Sequence, residues 1–359
     1  CAQAAPASAD RTRGPGARPR GALRRALLAL AAGMAVGVAL GCVSSNDGHF
    51  RNNYPHPEKT GFWKWKWEQW RDGLPRRPEG GYRFETVKSD LSPALNPSVT
   101  WIGHATVLVR VGGLSILTDP QFSERASPLS FAGPRRVVPP APGLNELPHI
   151  DAVVISHNHY DHLDLDSVKA LAARSGGSPR FFVPLGLKDW FSRQGIEDVI
   201  ELDWWQSRSF KGIEVHFVPV QHWSKRTLTD ENRTLWGGWV LRHPELSFFF
   251  AGDAGYSKDF ADIGARFGGF DLAAFPIGAY EPRWFMKIMH MDPAEAVQAH
   301  QDVNARRSLA IHWGTFDGLT DESLYEPPQR LDEARRKAGL REDQFFVLKH
   351  GETRSMAAK

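Results

Sequence analysis

From Val99 onward, short apolar runs of strand length alternate with amphipathic stretches of helical length, separated by glycine, proline and small polar residues. Residues 99–111 and 114–119, joined by Gly112-Gly113, read as a hairpin. Further strands are expected at 151–156, 180–184, 199–202, 213–220, 235–241, 246–251, 272–277, 308–312 and 345–349. Helices are expected at 167–173, 188–193, 258–267, 293–303 and 327–338, the last with its prolines at the start, where they are tolerated. Two groups of consecutive strands with interleaved helices predict two sheets covered by helices. The fold class is therefore α/β, an αββα four-layer sandwich over residues 98–359.

Ahead of this body the pattern changes. Residues 26–40 (ALLALAAGMAVGVAL) form an apolar run of signal-peptide proportions behind the arginine-rich stretch 11–25. Ala39-Leu40-Gly41-Cys42 resembles a bacterial lipoprotein cleavage box, with its leucine two places before the cysteine instead of three. Residues 1–42 are thus expected to be an export segment. Lipidation of Cys42 would anchor the protein to a membrane of a bacterial-type cell envelope, with its body outside the cytoplasm. An uncleaved anchor helix and an ordinary signal peptide are the alternatives. Residues 43–60 read as a polar tether within a lead-in spanning 43–97. Inside it, Trp63, Trp67 and Trp70 fit one helical face. That segment either packs its indoles on the body or contacts a membrane interface.

Composition narrows the chemistry. With 42% hydrophobic residues and 13 Trp, 6 Tyr and 21 Phe in 359 residues, a sizeable core is available. The net charge of +3 is uneven: six arginines and one aspartate fall in residues 1–42, leaving 38 basic and 40 acidic residues elsewhere. A near-neutral body gives no electrostatic case for a nucleic-acid partner. Cys1 and Cys42 are the only cysteines. Processing at Cys42 would leave neither a disulfide framework nor a cysteine nucleophile, so any metal must be held by histidines and carboxylates.

Such residues crowd into one stretch. His157, His159, Asp161 and His162 lie on the turn between an apolar strand and a helix that Asp166 or Ser167 could cap. His157 and His159, two apart in an extended turn, point the same way and can pinch one cation. Asp161 and His162 come around the bend and can serve a second. Imidazole and carboxylate suit a borderline metal such as zinc. Three other apolar runs end on a ligand-type side chain: His222, Asp253 and His312. Counting ligands, His157, His159 and His222 would hold one ion. Asp161, His162 and His312 would hold another, with Asp253 bridging the two and a hydroxide in the remaining shared position. Two zinc ions so placed suit hydrolysis of phosphodiesters and strained esters without a nucleophilic side chain.

The His-x-His-x-Asp-His cluster with later His, Asp and His resembles the metallo-β-lactamase superfamily. Additional stretches are similar to the N-acyl-phosphatidylethanolamine-hydrolysing phospholipase D family within it. They include Trp101-Ile102-Gly103-His104-Ala105-Thr106, Leu117-Thr118-Asp119-Pro120, Gln221-His222-Trp223, Gly278-Ala279-Tyr280-Glu281-Pro282-Arg283-Trp284-Phe285-Met286 and Ala310-Ile311-His312-Trp313-Gly314-Thr315-Phe316. The resemblance covers about residues 98–352 and matches the seven ligands position by position. It implies attack on phosphorus in an N-acylated phosphatidylethanolamine, yielding an N-acylethanolamine and phosphatidic acid. A phospholipid substrate and a membrane surface are the partners this implies.

Asp161, Asp253 and His290 are the candidate catalytic groups, His290 by the resemblance, as a contact to phosphate or leaving oxygen at the mouth. Asp119 either orients a metal-bound imidazole or caps the turn before Pro120. His104 either supports the ligand loops or is a buried structural histidine. The Met-rich run 284–291 either lines an acyl-chain groove or is core. A lactonase or other phosphodiesterase on the same fold, and a non-catalytic lipid-binding lipoprotein, are the competing functions.

Overall fold

The computed structural model describes residues 48–57, 61–73 and 77–357; the expected export segment and Cys42 lie outside them. The strands are β1 (Ser98–Gly103), β2 (Thr106–Val111), β3 (Leu114–Thr118), β4 (Arg135–Arg136), β5 (Ala152–Val154), β6 (Arg180–Pro184), β7 (Val199–Leu202) and β8 (Ser207–Phe210). They continue as β9 (Ile213–Val218), β10 (Gly238–His243), β11 (Leu246–Phe250), β12 (Leu272–Pro276), β13 (Ser308–Ile311), β14 (Phe316–Asp317), β15 (Phe345–Phe346) and β16 (Thr353–Ser355). The helices are α1 (Phe62–Asp72), α2 (Leu165–Ala172), α3 (Lys188–Ser192), α4 (Asp259–Phe267), α5 (Arg283–Met286), α6 (Pro293–Asp302) and α7 (Glu326–Lys337).

One sheet has the order β16-β1-β2-β3-β5-β6-β7 and the other β15-β13-β12-β11-β10-β9-β8. In each, parallel pairing (β3-β5-β6-β7; β15-β13-β12-β11) gives way to antiparallel hairpins. Both faces of the central strands are covered, so those strands read as continuous apolar runs. In β11, Leu246, Phe248 and Phe250 enter the cluster between the sheets, while Phe249 points to the outer layer with Phe260 and Ile263 of α4. On the other flank, Val153 and Phe181 meet Val168 and Leu171 of α2 and Phe191 of α3. This is the expected αββα arrangement.

Several local expectations are revised. The run 99–111 is two antiparallel strands, because Gly103 (φ 139°) and His104 (φ 53°) reverse the chain. The cap of α2 is Asp164, whose carboxylate accepts the Ser167 N–H at 3.2 Å. Three of four residues in β8 are exposed, so this edge strand carries no apolar signal. Within the expected tether, residues 48–57 are docked on the body. Phe50 packs against the core, Asn53 donates to Asp259 at 2.9 Å, and Asn52 holds both backbone groups of His222 at 2.9 Å. Polar composition signalled solvent there, whereas these polar groups satisfy partners far along the chain.

Candidate metal centre

Each ligand-type side chain stands just past a strand end, on one rim of the sandwich. Asp119 follows β3, the His157–His162 loop follows β5, His222 follows β9, Asp253 follows β11 and His312 follows β13. The loops are stitched together. The N–H of Gly237 and the indole of Trp239 bond Ser156 O at 3.0 Å and Ile155 O at 2.8 Å, and His312 N–H bonds His104 O at 2.9 Å. Gly252 (φ 62°) lets the β11 end pass the histidine loop; a Cβ there would sit 2.5 Å from Ser156 Cβ.

Two adjoining groups result: His157, His159, His222 and Asp253, and His104, Asp161, His162 and His312. In the first, His157 Nε2 lies 2.8 Å and His222 Nε2 3.4 Å from His159 Nδ1, and both lie 3.9 Å from Asp253 Oδ2. In the second, His162 and His312 Nε2 lie 3.4 and 3.3 Å from Asp161 Oδ2. Asp253 joins the groups: its Oδ2 lies 3.9 Å from His157 and His222 Nε2 of the first, while Oδ2 and Oδ1 lie 3.0 Å from His162 and His312 Nε2 of the second. All seven predicted ligands are therefore brought together, and His290 joins them, its Nδ1 3.9 Å from Asp253 Oδ2.

The residues fit a metal. Ligands at 2.0–2.1 Å on a tetrahedron are about 3.3 Å apart, which the observed separations bracket. His162 Nε2 and Asp253 Oδ1 are buried yet find no aligned hydrogen-bond partner, close as their neighbours are. Burial pushes His104 and His159 down to about 3 and His290 to about 4, and takes His157 and His222 well below the ordinary histidine range. These imidazoles are neutral lone-pair donors. Burial opposes ionisation of Asp161 and Asp253, but His162 and its neighbours hold both well below the carboxylate range. Burial also opposes charge on His162 and His312; Asp253 and Asp161 outweigh it, lifting His162 well above its ordinary value and His312 to about 9. Positive charge is demanded where the ligand set would seat cations.

The surroundings orient these rings. Asp119 accepts from His162 Nδ1 at 2.7 Å and from the Ser156 hydroxyl at 2.6 Å. That hydroxyl then accepts from His157 Nδ1 at 2.8 Å, so both rings turn Nε2 inward. Of its two readings, Asp119 takes the orienting one. Asp119→Asn would present an amide N–H₂ to these donors. It is expected to weaken metal affinity about 10–100-fold in a titration of metal-free protein; unchanged affinity would contradict the role.

His104 proves part of the centre, its Nε2 3.0 Å from Asp161 Oδ2. Asn52 and the carbonyl of Met289, which accepts from His222 Nδ1 at 2.9 Å, were not foreseen. The Trp-Ile-Gly-His turn was a usable signal for His104; nothing local pointed to Asn52. In the Met-rich run, Met291 is core, while Phe285, Met286 and Met289 are buried against Trp65 of α1 beside the site.

Residues 115–313 match the model of the Beta-lactamase superfamily domain. The chain is 46% identical over 264 residues to N-acyl-phosphatidylethanolamine-hydrolyzing phospholipase D 1 of Caenorhabditis elegans, spanning 70% of this chain and 74% of that one. The chain belongs to this phospholipase D family. It is 38% identical over 261 residues to the family's mitochondrial member in Saccharomyces cerevisiae, spanning 71% of this chain but 55% of the yeast protein. A metallo hydrolase from Ignicoccus hospitalis shares the fold, with a TM-score of 0.54 at 21% identity over 73% of this chain and 99% of the other. As a family member the chain is a metal-dependent hydrolase.

These relatives correct the expected location in a bacterial-type envelope: both phospholipases D are eukaryotic and the yeast one is named mitochondrial. Arginine-rich, acid-poor leaders serve both bacterial export and organellar import, so the composition of residues 11–40 did not distinguish them. Among the described residues, no helix is long and apolar enough to cross a membrane.

Proposed function

We propose that the centre holds two zinc ions and hydrolyses N-acyl-phosphatidylethanolamine, with water replacing the N-acylethanolamine oxygen on phosphorus to leave phosphatidic acid. The observation that supports this best is the position of the Asp253 carboxylate between two histidine-rich groups, its Oδ2 3.9 Å from His157 and His222 Nε2 and its Oδ2 and Oδ1 3.0 Å from His162 and His312 Nε2. When bound, the ions would lower the pKa of the attacking water and offset charge growing on the phosphoryl oxygens.

The chain's own groups divide the remaining work. Asp253, whose carboxylate faces both histidine groups, would help hold both ions and offset their charge. Asp161 would hold the second ion with His162 and His312, and is itself oriented by His104. His290 stands at the partly open side, its side chain 13% exposed against 2% for Asp253. Neutral at pH 7, its ring N–H can bond the phosphoryl or leaving oxygen. His290→Gln is expected to lower kcat about a hundredfold with metal content unchanged, checked by steady-state kinetics beside metal analysis. A normal kcat would remove His290 from the reaction.

The deciding experiment measures the metal content of the purified protein and supplies N-acyl-phosphatidylethanolamine, a lactone and a cyclic nucleotide in parallel. Two zinc ions per chain and release of phosphatidic acid are expected. Turnover of the lactone alone, or of none of the three, would overturn the assignment.

A further inference from the structure

Beside the centre lies a cavity of about 830 Å³ lined by Lys66, Arg77, Arg125, Arg135 and Arg136, with Asp317 its one acidic lining residue. Arg77 pairs with Asp317 at 2.7 Å and Arg135 with Glu124 at 2.6 Å, and Lys66, Arg125 and Arg136 keep the lining net positive. The cavity reaches close to the centre. The Arg136 guanidinium lies 4.7 Å from the Phe316 ring, whose other neighbour is the His104 ring at 5.0 Å. Arg136 Nη1 is buried without a hydrogen-bond partner.

A second, independent feature adjoins it. Helix α1 is pinned by one indole: Trp65 is 6% exposed, stacks on Phe285 at 5.1 Å and donates to Asp321 at 2.8 Å. Its other aromatic residues turn outward, with Trp63 81%, Trp67 56%, Trp70 74% and Phe62 46% exposed. Trp284, also 46% exposed, continues the patch, with Lys64 4.3 Å from its ring. Leaving four indoles in water costs burial that an isolated soluble protein would ordinarily recover. Indole and lysine together suit the headgroup zone of a bilayer, and Lys66 belongs to both features, lining the cavity from α1.

We infer that α1 and the arginine-lined cavity form one docking face for a bilayer rich in anionic phospholipid, the indoles entering the interface while the cavity takes a phosphate headgroup. A bare phosphate would satisfy the cavity but not the indoles; a bilayer of negative surface potential satisfies both. The inference rests on the reading that the substrate lies in a membrane, and it adds that the surrounding lipid determines how long the enzyme stays there.

The full chain, mixed with phosphatidylcholine vesicles or vesicles enriched in phosphatidylglycerol, tests this. Binding to the anionic vesicles is expected to be at least about tenfold tighter at low salt, with the difference closing as salt rises. Brominated lipid should quench tryptophan fluorescence. The triple variant Trp63→Ser, Trp67→Ser, Trp70→Ser should lose most of that quenching, and Arg77→Glu with Arg135→Glu should lose the anionic preference. Both variants should still hydrolyse a short-chain substrate presented as a soluble monomer. Equal affinity for the two vesicles, wild-type binding by both variants, or protection by inorganic phosphate without vesicle preference would overturn the docking face. Failure of the wild type to cleave the soluble substrate would instead count against the proposed reaction, since vesicle binding is read separately.

Discussion

Asp253→Asn is expected to reduce turnover by about a thousandfold or more while the fold survives. Asp253 is 3% exposed and its carboxylate stands between the two groups, Oδ2 3.9 Å from His157 and His222 Nε2 and the two oxygens 3.0 Å from His162 and His312 Nε2. An amide keeps the shape but loses the charge, and one of its two polar atoms becomes a donor. A buried pair of divalent cations would then lose the anion that holds them side by side. Metal ions contribute several kcal/mol of charge stabilisation, and each 1.36 kcal/mol is tenfold in rate, so losing about 4 kcal/mol gives the stated factor. Steady-state kinetics alongside near-ultraviolet circular dichroism separates lost chemistry from lost structure. Ordinary turnover in this variant would show that Asp253 does not bridge.

Chelation should abolish hydrolysis and also lower the melting temperature. The centre buries Asp119, Asp161 and Asp253 with His104, His157, His162, His222 and His312, and against the pull of burial the Asp253 and Asp161 carboxylates raise His162 and His312 above the ordinary histidine range. An ion bound at roughly a thousand times its Kd stabilises the folded state by about 4 kcal/mol. For a body of this size that corresponds to a drop of roughly 5–10 °C on removal. Differential scanning calorimetry before and after chelation, with zinc restored in a third sample, checks both parts. A protein stripped of metal that melts and hydrolyses as before would show that the cluster is structural without ions.

Much of the centre was legible because its densest part is local. His157, His159, Asp161 and His162 lie within six positions, so a short turn after an apolar strand is enough to converge them. His222, Asp253 and His312 were readable for a related reason: each directly follows the apolar run of a buried strand, and strands of a layered sheet end on a common rim. The α1 segment shows the opposite. Helical spacing grouped Trp63, Trp67 and Trp70 correctly, yet only packing against Phe285 revealed that this face stays exposed while Trp65 anchors the helix.

The amino-acid order alone determined the four-layer class, the seven ligand-type side chains and the family, because strand length, apolar continuity and ligand spacing are properties of neighbouring positions. Tertiary structure decided what depends on distant ones. The chain reverses at His104 and returns it to Asp161, 57 residues later. Asn52, expected in a tether, grips the backbone of His222 across 170 residues. A carbonyl of the Met-rich run sets the tautomer of that same ring. Hydrogen bonds between segments so far apart leave no periodic trace, since each polar residue, viewed locally, is indistinguishable from one that faces water.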